Sequence, residues 1–217
     1  MKKMLFLPYL LYAAALSANT YPSVSEKWAS PTPWIHDRFD DFLDNMPHQA
    51  IAVEVGVQGG GFAAFMLKKT NPQKLYLIDC WTHQDPTVYD DPEANVSNEA
   101  QERLYRETKQ RFAHDSRVVI MREFSKTAVA QFADESLDWV YIDANHGYEA
   151  IREDLDLWWP KVKKGGILSG HDYALLPSFG VVQAVNEFIV KHNLSLDYRT
   201  VEEHIFDSWA IRKPHDR

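Results

Sequence analysis

Residues 50–81 read AIAVEVGVQGGGFAAFMLKKTNPQKLYLIDCW, and this stretch decides the fold. Residues 51–55 form a mostly apolar run, which is typical of a strand buried on both faces of a parallel sheet. A glycine-rich loop over 56–61 follows at once, then a helix, and then an apolar strand over 75–78 that ends at Asp79. This order is typical of the first βαβ unit of a nucleotide-binding α/β fold.

The charges around the glycine loop indicate which nucleotide the unit would bind. Gly59, Gly61 and Ala64 match a G-x-G-x-x-A pattern. Asp79 follows at about twenty residues, the spacing of dinucleotide-binding folds, and it would suit any ribose diol. Glu54 argues against a dinucleotide, because a carboxylate beside the loop would repel a pyrophosphate. S-adenosylmethionine has no phosphate and carries a sulfonium and an α-ammonium group, so a nearby acid would favour it.

Two stretches of the sequence resemble the motifs of a known family. Glu54-x-Gly56, the glycines that follow and Asp79 are similar to the binding motifs of class I S-adenosylmethionine-dependent methyltransferases. The stretch YIDANHGYEAIREDLDLWWPKVKKGGILSGHDY (141–173) resembles a group of small enzymes related to the macrocin and catechol O-methyltransferases, methyltransferase domain family 24. The resemblance spans residues 48–213, which we expect to form the methyltransferase domain. It implies a Rossmann-like α/β fold, with a seven-stranded, mostly parallel sheet, helices on both faces and a C-terminal antiparallel strand pair.

Acidic residues are predicted at the carboxyl ends of four strands, where ligands bind in open α/β sheets. They are Glu54, Asp79, Asp143 and Asp172. A solvated turn would explain any one of these acids but explains all four poorly. We expect Glu54 near the aminoacyl end of the cofactor and Asp79 at the ribose hydroxyls. The residues predicted to bind the cofactor are Glu54, Gly56, Gly59, Gly60, Asp79, Ser125 and Asp143.

Ser125 enters that set through the resemblance alone. It follows the third predicted strand, in the region where relatives contact adenine. The structural alternative for this serine is a helix N-cap, a position that favours short polar side chains.

Asp143 and Asp172 are also candidates for contacts to the substrate or to a metal. In the catechol-type relatives, an Asp after the fourth strand and an Asp-Asn or Asp-Asp pair after the fifth bind Mg²⁺. Here Tyr173 follows Asp172, and the loss of one oxygen ligand weakens a site for a hard cation. His146 and His171 could supply nitrogen instead, which would favour a softer metal.

His146 is the predicted general base, and Asp143 is predicted to share the catalytic site with it. His146 lies three residues after Asp143, where the catechol-type relatives place a catalytic lysine. A neutral imidazole can accept a hydroxyl proton near pH 7 while the methyl group arrives. The structural alternative is an N-cap or a hydrogen bond within the turn Asn145-His146-Gly147. For His171 a structural role is favoured.

The composition favours a single domain that acts on small molecules. A chain of 217 residues is long enough for one α/β domain with a sizeable core. The formal net charge of −8 and the lack of a Lys/Arg cluster argue against a nucleic-acid partner. Cys80 is the sole cysteine and is predicted to be a small buried hydrophobe, so neither a disulfide nor a cysteine zinc site is expected.

The first residues do not decide the cellular compartment of the protein. Two lysines precede an apolar run over 4–16, which resembles a secretion signal and is too short for an ordinary membrane-spanning helix. The alternative for residues 1–18 is an N-terminal helix, although Pro8 would interrupt it. We expect a cytoplasmic protein without a stable membrane span, because the cofactor is made and kept in the cytosol. Residues 19–47 are predicted to contain a linker and then a helix that includes Ile35.

The expected reaction is transfer of a methyl group from S-adenosylmethionine to an oxygen of a small molecule, of the sugar or phenol type. The turn-rich acidic segment 81–98 is too long for a routine connection, which is typical of a lid or of a disordered loop. As a lid, it would offer Trp81, His83 and Tyr89 as candidates for substrate contact. Two alternatives stay open: an NAD(P)-dependent Rossmann oxidoreductase and a non-catalytic module for cofactor binding or interaction. A homo-oligomer is also compatible with the sequence.

Overall fold

A computed structural model describes residues 35–36, 39–201 and 206–215. The predictions made for residues 1–34, a secretion signal or N-terminal helix followed by a linker, lie outside the described residues. None of the described helices is both long enough and apolar enough to cross a lipid bilayer.

The described strands form one sheet in the order β1-β7-β8-β6-β5-β2-β3-β4. Their bounds are β1 (Ile35–His36), β2 (Ile51–Val55), β3 (Lys74–Asp79), β4 (Val118–Arg122), β5 (Leu137–Ile142), β6 (Val162–Gly170), β7 (Tyr198–Val201) and β8 (Trp209–Arg212). Strands β2 to β6 run parallel, and β8 is antiparallel to both of its neighbours, β6 and β7. The predicted seven-stranded sheet is therefore confirmed as β2–β8. The two-residue strand β1 adds to its edge, parallel to β7.

The described helices lie between the strands. Their bounds are α1 (Phe39–Asp44), α2 (Gly61–Thr70), α3 (Asn98–Arg111), α4 (Ser125–Ala128), α5 (Tyr148–Trp158) and α6 (Val181–His192). Ile35 does not belong to the helix predicted before the sheet but to β1, where it pairs with Thr200. Helical spacing alone misplaced Ile35, because a strand pairing with a residue far along the chain is invisible in a local pattern.

Both faces of the sheet are covered, which explains the apolar character of β2. Val53 and Val55 contribute to a core cluster that includes Leu155 of α5, whereas Ala52 contributes to a second cluster that includes Met66 of α2. Successive side chains of a strand point to opposite faces, so α2 and α5 cover opposite sides of the sheet.

The strand order creates a crevice beside β2. The chain leaves β2 through α2 towards β3 on one side, while β5 pairs with β2 on the other side and continues through α5. Ligands bind outside the carboxyl ends of the strands at such a switch point, because the diverging connections leave space there. The predicted acids lie at this end of the sheet.

Candidate functional site

A cavity of about 620 Å³ opens at the carboxyl ends of the central strands. A volume of this size is typical of sites for small molecules and cofactors. The predicted site residues that line it are Glu54, Gly56, Asp79, Ser125, Asp143, His146 and Asp172. Gly59 and Gly60, which were also predicted to bind the cofactor, are not among the lining residues.

Glu54 is the most unusual group in the cavity. Its side chain is 1% exposed, and within the described part of the chain its Oε2 atom has no hydrogen-bond partner. Burial is the main cause that raises the pKa of Glu54 well above its usual value, and the nearby Asp143 and Asp79 add to the effect. A buried carboxyl group without a partner is costly for the fold, unless a cationic ligand supplies the missing contact.

Asp79 holds the glycine loop in place. Its Oδ2 atom accepts hydrogen bonds from the backbone N–H groups of Val57 and Gln58, both at 2.9 Å. Its Oδ1 atom accepts from the Trp81 N–H at 2.7 Å. Each carboxylate oxygen has two lone pairs, so the two donors fully occupy Oδ2, whereas Oδ1 keeps one acceptor position. Asp79 therefore organises the loop and can still accept one hydrogen bond from a ligand.

Gly56 is required by the protein backbone rather than by a ligand. Its φ angle is +89°, and a Cβ atom at this position would lie 1.9 Å from the carbonyl oxygen of Asp143. The close approach arises because Asp143 donates its backbone N–H to Val55 O at 2.7 Å, which brings the end of β5 against the loop. The glycine thus lets two cavity-lining segments meet.

Substituting Gly56 by alanine is expected to destabilise the fold by at least about 3 kcal/mol, because the added methyl group clashes with rigid backbone at a positive φ angle. Gly61→Ala is the matched control, since nothing lies within 4 Å of a Cβ atom at Gly61. Urea denaturation of the two variants measures the difference. Equal free energies of unfolding for both variants would contradict the close approach.

Gly60 has a comparable structural role. Its φ angle is +71°, and a Cβ atom there would lie 2.7 Å from the ring of Phe112. At Gly59 the nearest atom would be a methyl group of Leu104 at 3.5 Å, an ordinary contact. Gly60 is therefore required for the turn of the backbone and for packing against Phe112, whereas the structure does not require a glycine at Gly59.

Ser125 does not act as a helix N-cap, because it is the first residue of α4 and Phe124 occupies the N-cap position. Its hydroxyl group donates a short hydrogen bond to Oδ1 of Asp154, which lies on α5. It also accepts a hydrogen bond of 2.8 Å from the indole N–H of Trp158. Ser125 and Asp154 both line the cavity, so this network forms part of its wall.

Asp143, His171 and Asp172 form a cluster whose ligand atoms all lie within 4.8 Å of one another. Nδ1 of His171 is 3.2 Å from Oδ1 of Asp172 and 3.8 Å from Oδ1 of Asp143. Burial raises the pKa of Asp143 most, His171 opposes this effect and Asp172 adds to it. Burial also acts to raise the pKa of Asp172, but the adjacent His146 and His171 rings outweigh it and lower that pKa. Two carboxyl groups and one imidazole are a donor set that fits a divalent cation.

His146 is held firmly at the cavity wall. It is 4% exposed, and its ring stacks on Phe179 with a centroid distance of 3.7 Å. Its Nδ1 atom lies 3.7 Å from a carboxylate oxygen of Asp172 and 3.8 Å from one of Asp91. The N-cap alternative does not apply, because Gly147 is the N-cap of α5, and the Gly147 backbone N–H donates to the side-chain oxygen Oδ1 of Asn145.

The segment 81–98, predicted to be a lid, contributes several residues to the cavity wall, including Gln84, Tyr89 and Asp91. The Tyr89 hydroxyl group donates to Ala144 O at 3.3 Å, and the Asn145 side chain donates to Val88 O at 2.8 Å. These bonds tie the segment to the turn that carries His146. Trp81, one of the two predicted contact residues that do not line the cavity, is buried and donates its indole N–H to Gln58 O.

His83 is the other predicted contact residue outside the cavity wall. It is exposed, and its ring Nδ1 lies 3.1 Å from the backbone oxygen atoms of both Asn95 and Val96. The interpretation of Cys80 as a buried hydrophobe also needs correction. The residue is half-buried and lines the cavity, because it directly follows Asp79 at the strand end.

Several lining residues were not singled out by sequence reasoning. They include Gln84, Gln101 and Asp154. For Asp154 a signal existed, because it lies three residues after Ile151 and directly before Leu155, on the face of α5 that packs against the sheet. An acid on an apolar helix face is the pattern that could have identified it. For the two glutamines no comparable signal existed.

Comparison with known proteins gives a family match and several structural neighbours. Residues 53–173, more than half of the 217-residue chain, match the model of a family described as a methyltransferase domain. No match was found among curated proteins.

Three solved structures illustrate the shared fold. The O-methyltransferase NovP is similar with a TM-score of 0.55 at 20% identity, covering 81% of this chain and 76% of that one. A Streptococcus mutans protein, provisionally assigned as a methyltransferase and solved in complex with SAH, is similar with a TM-score of 0.52 at 16% identity. The match covers 80% of this chain and 94% of that one. Spermidine synthase from Thermotoga maritima is similar with a TM-score of 0.52 at 17% identity, covering 80% of this chain and 56% of that one. At these identities the likeness concerns the fold alone.

Proposed function

We propose that this chain, which belongs to the methyltransferase domain family and is an S-adenosylmethionine-dependent methyltransferase, methylates an oxygen atom. The proposed acceptor is a small molecule of the sugar or phenol type. The reaction is an in-line displacement, in which the acceptor oxygen forms a bond to the methyl carbon while the bond from carbon to sulfur breaks. The enzyme has to align these atoms and remove the acceptor proton. The assignments of individual residues below belong to this proposal.

The observation that carries the proposal is the buried Glu54 carboxyl group with its unpartnered oxygen. The ammonium and sulfonium groups of S-adenosylmethionine are cationic, and either would relieve the cost of burying this acid. A pyrophosphate would add negative charge beside Glu54, Asp79 and Asp143. The site therefore favours the methyl donor over a dinucleotide, and the oxidoreductase alternative loses its support.

The glycine loop and Asp79 complete the proposed cofactor site. The remaining acceptor position of Asp79 is available to a ribose hydroxyl group, next to the loop segment that lines the cavity at Gly56. Three backbone N–H groups already hold the Asp79 carboxylate in one orientation. A preorganised acceptor binds without an additional ordering cost.

His146 is the proposed general base. Its Nδ1 atom faces the carboxylates of Asp91 and Asp172, which favours a proton on Nδ1 and leaves the lone pair on Nε2. The stacked Phe179 ring limits rotation of the imidazole. His146 Nε2 would accept the proton of the acceptor hydroxyl group while Asp143 lines the same wall of the cavity.

A divalent metal fits the cluster of Asp143, His171 and Asp172 and belongs to the proposal. The mixed oxygen and nitrogen donors suit Mn²⁺ or a softer ion at least as well as Mg²⁺, which prefers oxygen. When bound, such an ion would polarise the acceptor oxygen and favour loss of its proton. The side chains would also orient the acceptor without it.

The charge of the cavity narrows the acceptor class. Its acidic lining residues are Glu54, Asp79, Asp91, Glu123, Asp143, Glu153, Asp154 and Asp172, whereas Lys126 is the single lysine or arginine among the lining residues. An acceptor that carries a carboxylate or phosphate would meet unfavourable potential there. The acceptor is therefore a neutral or cationic molecule.

Isothermal titration calorimetry with the full chain tests the proposal. We expect S-adenosylhomocysteine to bind and NADH to give no heat of binding. A methyl-transfer assay with labelled S-adenosylmethionine then compares catechol and neutral sugars with 3,4-dihydroxybenzoate, whose carboxylate should exclude it. Binding of NADH without binding of S-adenosylhomocysteine would overturn the cofactor site. Preferred methylation of the benzoate would overturn the charge argument.

A further inference from the structure

Asp91 brings a carboxylate from the segment 81–98 to the cavity wall. The residue lines the cavity, and 23% of its side chain is exposed. Its Oδ2 atom lies 3.8 Å from Nδ1 of His146, the proposed general base. This separation is too long for a hydrogen bond. The carboxylate therefore lies beside the proposed base, and the methyl transfer as described above gives it no contact of its own.

The local turn holds this carboxylate in one orientation. Its Oδ1 atom accepts hydrogen bonds from the backbone N–H groups of Glu93 at 2.8 Å and Ala94 at 3.2 Å. The Asp91 carbonyl oxygen accepts from the Asn95 N–H at 2.7 Å, and the buried Asn95 side chain donates to Tyr89 O at 2.9 Å. These bonds occupy Oδ1, whereas Oδ2 accepts no hydrogen bond from any described residue. One oxygen atom is thus fixed at the wall with its acceptor positions unused.

No cationic side chain of the cavity lining offsets the charge of Asp91. Lys126, the single lysine or arginine of the lining, follows β4, which is three strands away from β5 in the sheet. Three strand spacings are roughly 14 Å. A divalent ion held by Asp143 and Asp172 would offset the charges of those two acids, but Asp91 is not part of that cluster. The charge of Asp91 is therefore left for a ligand to balance.

The acceptor is the ligand that comes within reach of Asp91. Its reacting hydroxyl group has to lie within hydrogen-bond distance of Nε2 of His146, on the other side of the same imidazole ring. One ring and two short contacts then separate the reacting oxygen from Asp91, a distance below about 10 Å that a small molecule can span. A neutral acceptor that filled this space would remove water from the carboxylate and supply no charge, which is costly. An ammonium group would replace the water with a charge-assisted hydrogen bond.

We propose that Oδ2 of Asp91 binds an ammonium group of the acceptor, so that the enzyme prefers hydroxyl compounds that also carry an amine, such as amino sugars or aminomethyl phenols. The inference rests on the acceptor site proposed above and narrows its substrate class. Asp91 is then a specificity-determining residue, because it contacts the acceptor away from the reacting atoms.

Paired acceptors of nearly equal shape test this contact on the full chain. Aminomethyl catechol is compared with hydroxymethyl catechol, and glucosamine with glucose, at neutral pH with labelled S-adenosylmethionine. In the pair that the wild type methylates, kcat/KM is expected to be about 10- to 100-fold higher for the amine. In Asp91→Asn this preference should fall to near one. The amide oxygen can still accept the two backbone N–H groups, so the turn should keep its shape.

The ratio within a pair separates recognition of the amine from an effect on the base. If Asp91 acted only through His146, the substitution would lower kcat/KM for both members of a pair by the same factor and leave the preference unchanged. Asp90→Asn is the matched control, because this exposed aspartate precedes Asp91 and does not line the cavity. It should retain both the rates and the preference of the wild type.

The outcomes distinguish this inference from the proposed function. Equal kcat/KM for the two members of a pair in the wild type, or a preference that survives in Asp91→Asn, overturns the inference while O-methylation stands. If no acceptor is methylated, calorimetry with the protein saturated with S-adenosylhomocysteine decides. Tighter binding of the amine that depends on Asp91 then supports the inference and counts against the proposed transfer, whereas absence of binding overturns both.

Thermal melting verifies that each variant folds. If Asp91→Asn does not fold, the salt dependence of the wild type decides the question. Added NaCl should raise KM for the amine and leave KM of its neutral partner nearly unchanged, because ions screen the contact between the two charges. The same salt dependence for both members of a pair would contradict the inference.

Discussion

Replacing His146 by alanine is expected to lower kcat for methyl transfer by about 10²- to 10⁴-fold, because the acceptor then keeps its proton as the methyl group arrives. The Kd for S-adenosylhomocysteine should change little, because in the proposed site His146 contacts the acceptor and not the cofactor. Steady-state kinetics with the best acceptor from the panel, together with calorimetry, separate the two quantities.

Two further variants distinguish loss of the base from a purely structural effect of the substitution. His114→Ala removes an exposed histidine and should leave kcat unchanged. His146→Gln keeps a polar side chain at the position but supplies no base of suitable pKa, so it should be nearly as slow as the alanine variant. Full turnover in a folded His146→Ala protein would show that another group removes the proton. Raising the assay pH should partly restore the rate of the variants, because more of the acceptor is then ionised.

Replacing Glu54 by glutamine is expected to weaken binding of S-adenosylhomocysteine by about 30-fold or more, since the ammonium group loses a buried ionic partner. The same substitution should stabilise the protein without ligand. The pKa of Glu54 is raised in the folded state, so the stability of the wild type is greatest below the unfolded pKa and declines as the pH rises through the folded one. Glutamine removes that penalty, and the melting temperature above this range should increase.

The opposite signs of the two effects make the Glu54 prediction specific. A residue with only a structural role would lose stability and affinity together. Glu149→Gln is the matched control, because this exposed glutamate pairs with Arg152 at 2.6 Å on the surface of α5. Surface pairs of this kind contribute about 0–1 kcal/mol, so neither binding nor melting should change appreciably. Unchanged affinity in Glu54→Gln would remove the main support for the proposed cofactor site.

The order of the strands and helices from residue 51 onwards was readable from the sequence, because each segment carries its own local signal. Apolar runs of strand length predicted β2 and β5 with the bounds that the structure has. Helical spacing of Ile151, Leu155 and Trp158 predicted α5. Ile35 was misassigned for the complementary reason, since its strand depends on pairing with Thr200.

The candidate site was only partly readable. The acids that follow the strands were identified correctly as lining residues. In a parallel sheet the carboxyl ends of the strands lie at one edge, and ligands bind there. The roles of the side chains were less accessible. Trp81 was considered a substrate contact but packs under the loop, and Cys80 was considered buried but faces the cavity. Whether the side chain of a turn residue points into the cavity depends on residues that are distant in the sequence and close only in the fold.

The sequence by itself determined the βαβ opening, the acid at position 54 beside a glycine loop and the family to which the chain belongs. The tertiary structure alone decided that Gly56 must lack a side chain because of the Asp143 carbonyl oxygen, and that Ser125 meets Asp154 across 29 positions of the chain. The physical reason is that secondary structure follows from periodicities along a few turns or strand residues, which a sequence contains. A hydrogen bond, an orphaned carboxyl oxygen or a forbidden Cβ atom depends on atoms that only folding brings together.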